Sequence, residues 1–145
     1  MRPDWAAHAS TALAAGPTAM VTVLAAEGSA PRGAGTRMIV SAAAQYGTIG
    51  GGRLEHVATE QARAILAFAP GTWRIQDYPL GPMLGQCCGG RVRLLIERLD
   101  KTAVDWLTEA ARRLDAAQPF EVRTRFCKTS LCHLARLSLA GGAGP

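Results

Sequence analysis

Three consecutive glycines, Gly50-Gly51-Gly52, stand between a short strand-like run, Tyr46–Ile49, and a stretch of helical periodicity, Leu54–Phe68. Glycine populates positive φ without steric cost, so this segment can turn sharply from a strand into a helix. The period places Leu54, Val57, Ala58, Ala62, Ile65 and Leu66 on one helix face, and Pro70-Gly71 ends the helix. The apolar stripe has to be buried against another element.

The rest of the chain alternates in the same way. Residues 4–15 read as a helix, with Asp4 as its N-cap and Gly16-Pro17 as its stop, Gly16 taking the left-handed cap conformation. Thr18–Ala26 reads as a buried strand and Glu27–Thr36 as a Gly-rich loop. Arg37–Ser41 and Tyr46–Ile49 read as a hairpin, Thr72–Pro79 as a strand, and Leu80–Gly90 as a second Gly-rich loop. In Arg91–Arg98 the alternation points Val92, Leu94 and Ile96 one way and Arg91, Arg93 and Leu95 the other. Thr102–Leu114 is an amphipathic helix, and Phe120–Phe126 a last strand. Residues 127–145 show no period. The expectation is a single α/β domain, with a mixed β-sheet, flanking helices and Gly-rich ligand loops. The hairpin at 37–49 excludes a purely parallel sheet.

A chain of 145 residues buries enough surface to fold as one domain without a disulfide or metal staple. Its 48% apolar and 19% charged content excludes wholesale disorder. No run of about 18 apolar residues occurs, so no membrane span is expected. The alanine-rich N-terminus is interrupted by Asp4 and His8, which argues for a cytoplasmic protein. The net charge is +5, and residues 91–145, with ten basic and six acidic side chains, hold most of it. No helix-turn-helix, zinc-finger or RNA-reading signature accompanies the charge, so a solvated basic face is expected and nucleic acid is not an expected partner.

Three segments carry candidate chemistry. TIGGGRLE, Thr48–Glu55, combines backbone that a ligand can approach closely with a helix N-terminus, which suits an anion; a tight structural turn explains it equally well. It lacks the Lys-Ser/Thr ending of a nucleotide-binding P-loop. Glu55, in the first helical turn, is sufficiently explained by the helix dipole. SAPRGAGTRM, Ser29–Met38, sets Arg32 and Arg37 around a flexible turn, and arginine binds phosphate bidentately and stacks on flat rings. GQCCGG, Gly85–Gly90, places Cys87 and Cys88 side by side between glycines. Thiolates bind soft metals and carry sulfur, although two buried small residues would look the same. The spacing of Cys127 and Cys132 does not complete a zinc site with them.

Together, GSAPRGAGTRMIV, TIGGGRLE and LGPMLGQCCGGRVRLLIE resemble the N-terminal domain of the xanthine dehydrogenase accessory proteins, the XdhC/CoxI type, over roughly residues 10–115. The resemblance implies a maturation factor that binds molybdenum cofactor, a pyranopterin dithiolene with a phosphate. It would support exchange of a molybdenum oxo ligand for a sulfido ligand and pass the cofactor to a xanthine dehydrogenase-type molybdoenzyme. A cysteine desulfurase and a second copy of the chain are implied partners. In that setting the cofactor phosphate suits Gly50, Gly51 and Gly52, helped by Arg32 or Arg37. Gln86 suits the pterin, with Gly89 beside it, and Cys87 and Cys88 suit the metal or its sulfur. No catalytic residue is implied, and a carrier is expected rather than a turnover enzyme. The competing readings are a small thiol-dependent enzyme or enzyme subunit acting on a phosphorylated ligand through Cys87 and Cys88, and a non-catalytic remnant that only docks to the dehydrogenase.

The sequence departs from the family at Arg53, where His or Cys is usual, and at Gly33, where Glu is frequent. The expected organisation is a family-like domain over residues 1–126 and an atypical, truncated or disordered tail over 127–145. The family's C-terminal Rossmann-like domain is not expected in this chain.

Overall fold

The computed structural model describes residues 4–27, 35–79, 90–118, 121–126 and 133–138. In chain order these form α1 (Trp5–Ala15), β1 (Thr18–Glu27), β2 (Arg37–Ser41), β3 (Gln45–Tyr46), α2 (Gly52–Ile65), β4 (Trp73–Pro79), β5 (Arg91–Arg98), α3 (Ala103–Asp115), β6 (Glu121–Phe126) and β7 (His133–Ser138). Five strands make one sheet in the order β3-β2-β1-β5-β4, and β6 and β7 pair separately. The expected α/β domain of helices around a sheet is present. Each pairing in its five-stranded sheet is antiparallel, so the sheet is not the mixed one expected: the antiparallel pairing read in the hairpin at 37–49 extends across all five strands.

The two sheet faces carry separate cores. Ala19, Val21 and Val23 of β1 pack with Met38, Val40, Val92, Leu94 and Ile96 beneath Leu54, Ala58, Ala62 and Ile65 of α2. On the other side Met20 and Ile39 pack with Trp5, Ala9 and Leu13 of α1 and Leu107 and Ala110 of α3. This is the period-two alternation of a strand buried on both faces. The alternation read in β5 is observed, with Val92, Leu94 and Ile96 in the α2 core.

Several element ends differ from the sequence reading for local reasons. Asp4 makes no side-chain capping bond; its Oδ2 lies 3.1 Å from His8 Nε2 instead. Gly16 has φ 168°, extended rather than left-handed, so Pro17 is what stops α1. Helix α2 ends at Ile65, and the next N–H groups, from Leu66 to Phe68, bond three residues back to Arg63, Ala64 and Ile65, the tighter winding common at helix ends. β3 stops at Tyr46 because Gly47 has φ 83°. Residues 133–138, which have no legible period, form β7 by pairing with β6.

Register shows where the three Gly-rich segments attach. Glu27, at the end of β1, pairs with Arg91, at the start of β5, and Arg91 also pairs with Pro79, at the end of β4. β2 opens with Arg37 opposite Thr22. β3 runs back from Val40 toward Ile39, so the chain after Tyr46 leads to the same end of the sheet. The residues flanking segments 28–34 and 80–89 and the Gly50–Gly52 turn therefore share one sheet end. The opposite end holds a cavity of about 370 Å³ lined by Leu13, Pro17, Pro70, Arg98, Leu99 and Lys101 among others.

Candidate functional site

At the loop end of the sheet, the best-defined feature is the turn into α2. Gly50, Gly51 and Gly52 have φ of 122°, 77° and 70°, so all three use the freedom that the sequence suggested. A Cβ built on Gly51 or Gly52 meets no atom within 4 Å, which leaves the outer side of the turn open.

The inner side is closed by Glu55. Its Oε1 accepts hydrogen bonds from the backbone N–H groups of Ile49 and Gly51, each at 3.0 Å, and from Thr48 Oγ1. Its Oε2 accepts from Gln45 Nε2 at 3.0 Å. The Gly50 N–H donates to Thr48 Oγ1 at 3.0 Å. Gln45 also reaches Met38 Sδ at 3.1 Å and accepts from Thr59 Oγ1 at 3.3 Å, which ties β3 to α2. With Gly51 as N-cap, Glu55 performs the reach-back of a capping box from one residue further along. Burial pushes its carboxyl up, but the bonds from Thr48, Gly51, Ile49 and Gln45 outweigh this and hold it below the ordinary glutamate range. The turn thus carries its own anion, and the N–H groups of Ile49, Gly50 and Gly51 are engaged within the protein. A helix-dipole role for Glu55 was legible from its first-turn position. Its bonds to Ile49 and Gln45 were not, because they depend on how the hairpin returns to the helix.

Arg53 is exposed in the first turn of α2, beside the open backbone of Gly52. Arg37 is placed differently. Its Nη1 donates to Gly35 O at 3.0 Å, and its Cζ lies 4.5 Å from the ring centre of Trp5 in α1. Burial lowers its guanidinium below the ordinary value, while the Glu97 carboxylate acts in the opposite sense. Arg37 therefore faces the α1 side of the sheet, whereas α2 packs on the other side, and its side chain is not brought to the Gly50–Gly52 turn. It stacks on a flat ring, as arginine does, but the ring is the protein's own. Arg32, Gln86, Cys87, Cys88 and Gly89 lie outside the described residues. Among the described residues no group of three His, Cys, Asp or Glu side chains is arranged to hold a metal ion, and no helix is long and apolar enough to cross a membrane.

Comparison with known proteins adds to this geometry. Residues 11–78 match the model of the XdhC and CoxI family. That span runs from α1 to β4 and includes Arg32, Arg37 and Gly50 to Arg53. A crystal structure described as a xanthine dehydrogenase from Bacillus halodurans is similar, with 25% sequence identity and a TM-score of 0.68 over 92% of this chain. The match covers 42% of that chain, so the present sequence spans less than half of its length. No curated protein sequence matches this chain.

Proposed function

We propose that this chain, whose residues 11–78 match the model of the XdhC and CoxI family, is an accessory protein of a xanthine dehydrogenase-type molybdoenzyme and carries molybdenum cofactor as its cargo. In this reading the chain supports sulfuration of the cofactor and its insertion into the dehydrogenase, with a cysteine desulfurase and a second copy of the chain as further partners. It carries and delivers within the cytoplasm, and turns over no metabolite.

The observation that carries the reading is that the described residues flanking the Arg32 and Cys87-Cys88 segments lie at the same end of the sheet as the Gly50–Gly52 turn. Pro79 and Arg91, which flank the Cys87-Cys88 segment, are paired with each other, and Arg91 is paired in turn with Glu27, just before the Arg32 segment. A cargo with a phosphate at one end and a metal dithiolene at the other needs such a composite surface. The exposed Arg53 and the open backbone at Gly52 suit the phosphate. Cys87 and Cys88 suit the molybdenum or its transferable sulfur, and Gln86 the pterin. Arg37 contributes by holding the carbonyl of Gly35, the first described residue after the Arg32 segment.

The test is the double variant Cys87→Ser, Cys88→Ser, compared with wild type after expression in a host that makes molybdenum cofactor. The reading expects cofactor retention or sulfuration to fall while the thermal midpoint and circular dichroism are preserved. Unchanged retention and unchanged activation of the dehydrogenase would contradict the role given to the cysteines.

A further inference from the structure

We infer that Glu55 is a positioning residue for cargo capture: it engages the inward N–H groups of Ile49 and Gly51 and so holds the backbone at Gly52 and Arg53 as the ligand-facing part of the turn. The inference deepens the cofactor-carrier reading and rests on it.

Three consecutive glycines have the largest backbone freedom of any tripeptide, and fixing them is correspondingly expensive. A ligand that had to order them itself would lose that free energy from its affinity, whereas a turn fixed beforehand spares it. Here the fixing groups belong to the protein itself. One carboxylate oxygen receives two backbone N–H groups and the Thr48 hydroxyl, and the other receives the Gln45 amide. Gln45 belongs to β3 and Glu55 to α2, so the turn is clamped between sheet and helix.

The clamp also decides which atoms meet a ligand. The N–H groups of Ile49, Gly50 and Gly51 are used up inside the protein. An anion approaching the turn also faces a carboxylate that stays ionised at neutral pH and repels it from the inner side. The outer side remains, where a Cβ on Gly51 or Gly52 would meet nothing and Arg53 is exposed. The turn is thus a shaped platform beside an arginine, in place of the anion-binding nest that the glycines alone suggest.

The experiment compares wild type, Glu55→Gln and Glu55→Ala in two measurements on the whole chain. Amide hydrogen exchange is followed in the protein prepared without cargo, and bound pterin is quantified after co-expression with cofactor synthesis. Glu55→Ala is expected to speed exchange at Ile49 and Gly51 by about tenfold or more, since hydrogen bonds to a charged acceptor are lost. Amides of Val21 and Leu94, in the sheet centre, are expected to exchange as in wild type. Pterin retention is expected to fall with the loosened amides. Glu55→Gln, which keeps an acceptor oxygen but loses the charge, is expected to fall between the two in exchange and in retention, with a smaller drop in thermal midpoint than Glu55→Ala. Unchanged exchange at Ile49 and Gly51 in Glu55→Ala would overturn the inference, and so would wild-type pterin retention despite faster exchange. If wild type itself retains no pterin, the carrier reading fails and the positioning role with it, while the exchange data still decide whether Glu55 holds the turn. If Glu55→Ala does not fold, the Gln variant carries both measurements.

Discussion

Glu55 Oε1 lies 3.0 Å from the backbone nitrogen of Gly51, so the helix α2 begins on a carboxylate supplied by its own first turn. This contact sets the acid limb of stability. The bonds to Glu55 hold its folded-state value below the 4.5 of an unperturbed glutamate. A depressed carboxyl contributes stability that is fully present above the unfolded value and disappears as the pH falls through the folded one. Urea unfolding of wild type and Glu55→Gln is therefore expected to show a larger stability difference at pH 7 than at pH 3. A difference that stays constant between those pH values would show that the charge of Glu55 is irrelevant to the turn.

The glycines around the turn rank by what a methyl group meets. Gly47 has φ 83°, and its built Cβ lies 3.1 Å from the carbonyl oxygen of Arg37 in the adjacent strand. Gly51 and Gly52 share the positive φ but have open space. Gly51→Ala and Gly52→Ala are expected to cost about 1–2 kcal/mol each from backbone strain alone. Gly47→Ala is expected to cost more, because the sheet backbone has to move. Chemical denaturation of the three variants checks the order, and equal losses would contradict the geometry.

On the α1 side, Arg37 rests on Trp5 with Cζ 4.5 Å from the ring centre. A partly buried pair of this kind couples by about 0.5–2 kcal/mol. A double-mutant cycle with Arg37→Lys and Trp5→Leu is expected to recover a coupling in that range. Additive losses would mean that the stacked geometry contributes nothing to stability.

Core and edge are expected to respond differently to the same truncation. Leu107 is fully buried in the α1–α3 core, while Ile75 on the edge strand β4 is 41% exposed. Leu107→Ala is expected to cost about 2–5 kcal/mol. Ile75→Ala is expected to stay within about 0.5 kcal/mol. A large loss at Ile75 in the isolated chain would show that β4 is covered in solution.

The fold was legible where period and punctuation agreed. Arg91–Arg98 and Arg37–Ser41 coincide with their observed strands, and the α2 stripe of Leu54, Ala58, Ala62 and Ile65 packs as its spacing required. Cap geometry was less legible. Asp4 turned to His8, and Gly16 stayed extended, because both outcomes depend on neighbours that the local sequence does not specify. β7 carried no period of its own and is recognisable only from its pairing with β6. In the candidate site, the need for positive φ at Gly50, Gly51 and Gly52 was written in the residues themselves. The separation of Arg37 from that turn was not, because it follows from the parity of the β1–β2 register, which sends Arg37 to the α1 side with Trp5.

The proposed role of this chain as a carrier of molybdenum cofactor is tested most directly by release of the cargo itself. The protein is co-expressed in a host that makes the cofactor, purified, and denatured under oxidising conditions, and the fluorescent pterin is quantified beside molybdenum. The expected result is pterin close to one equivalent per chain, with molybdenum in step. Well-folded protein that releases no pterin would contradict it.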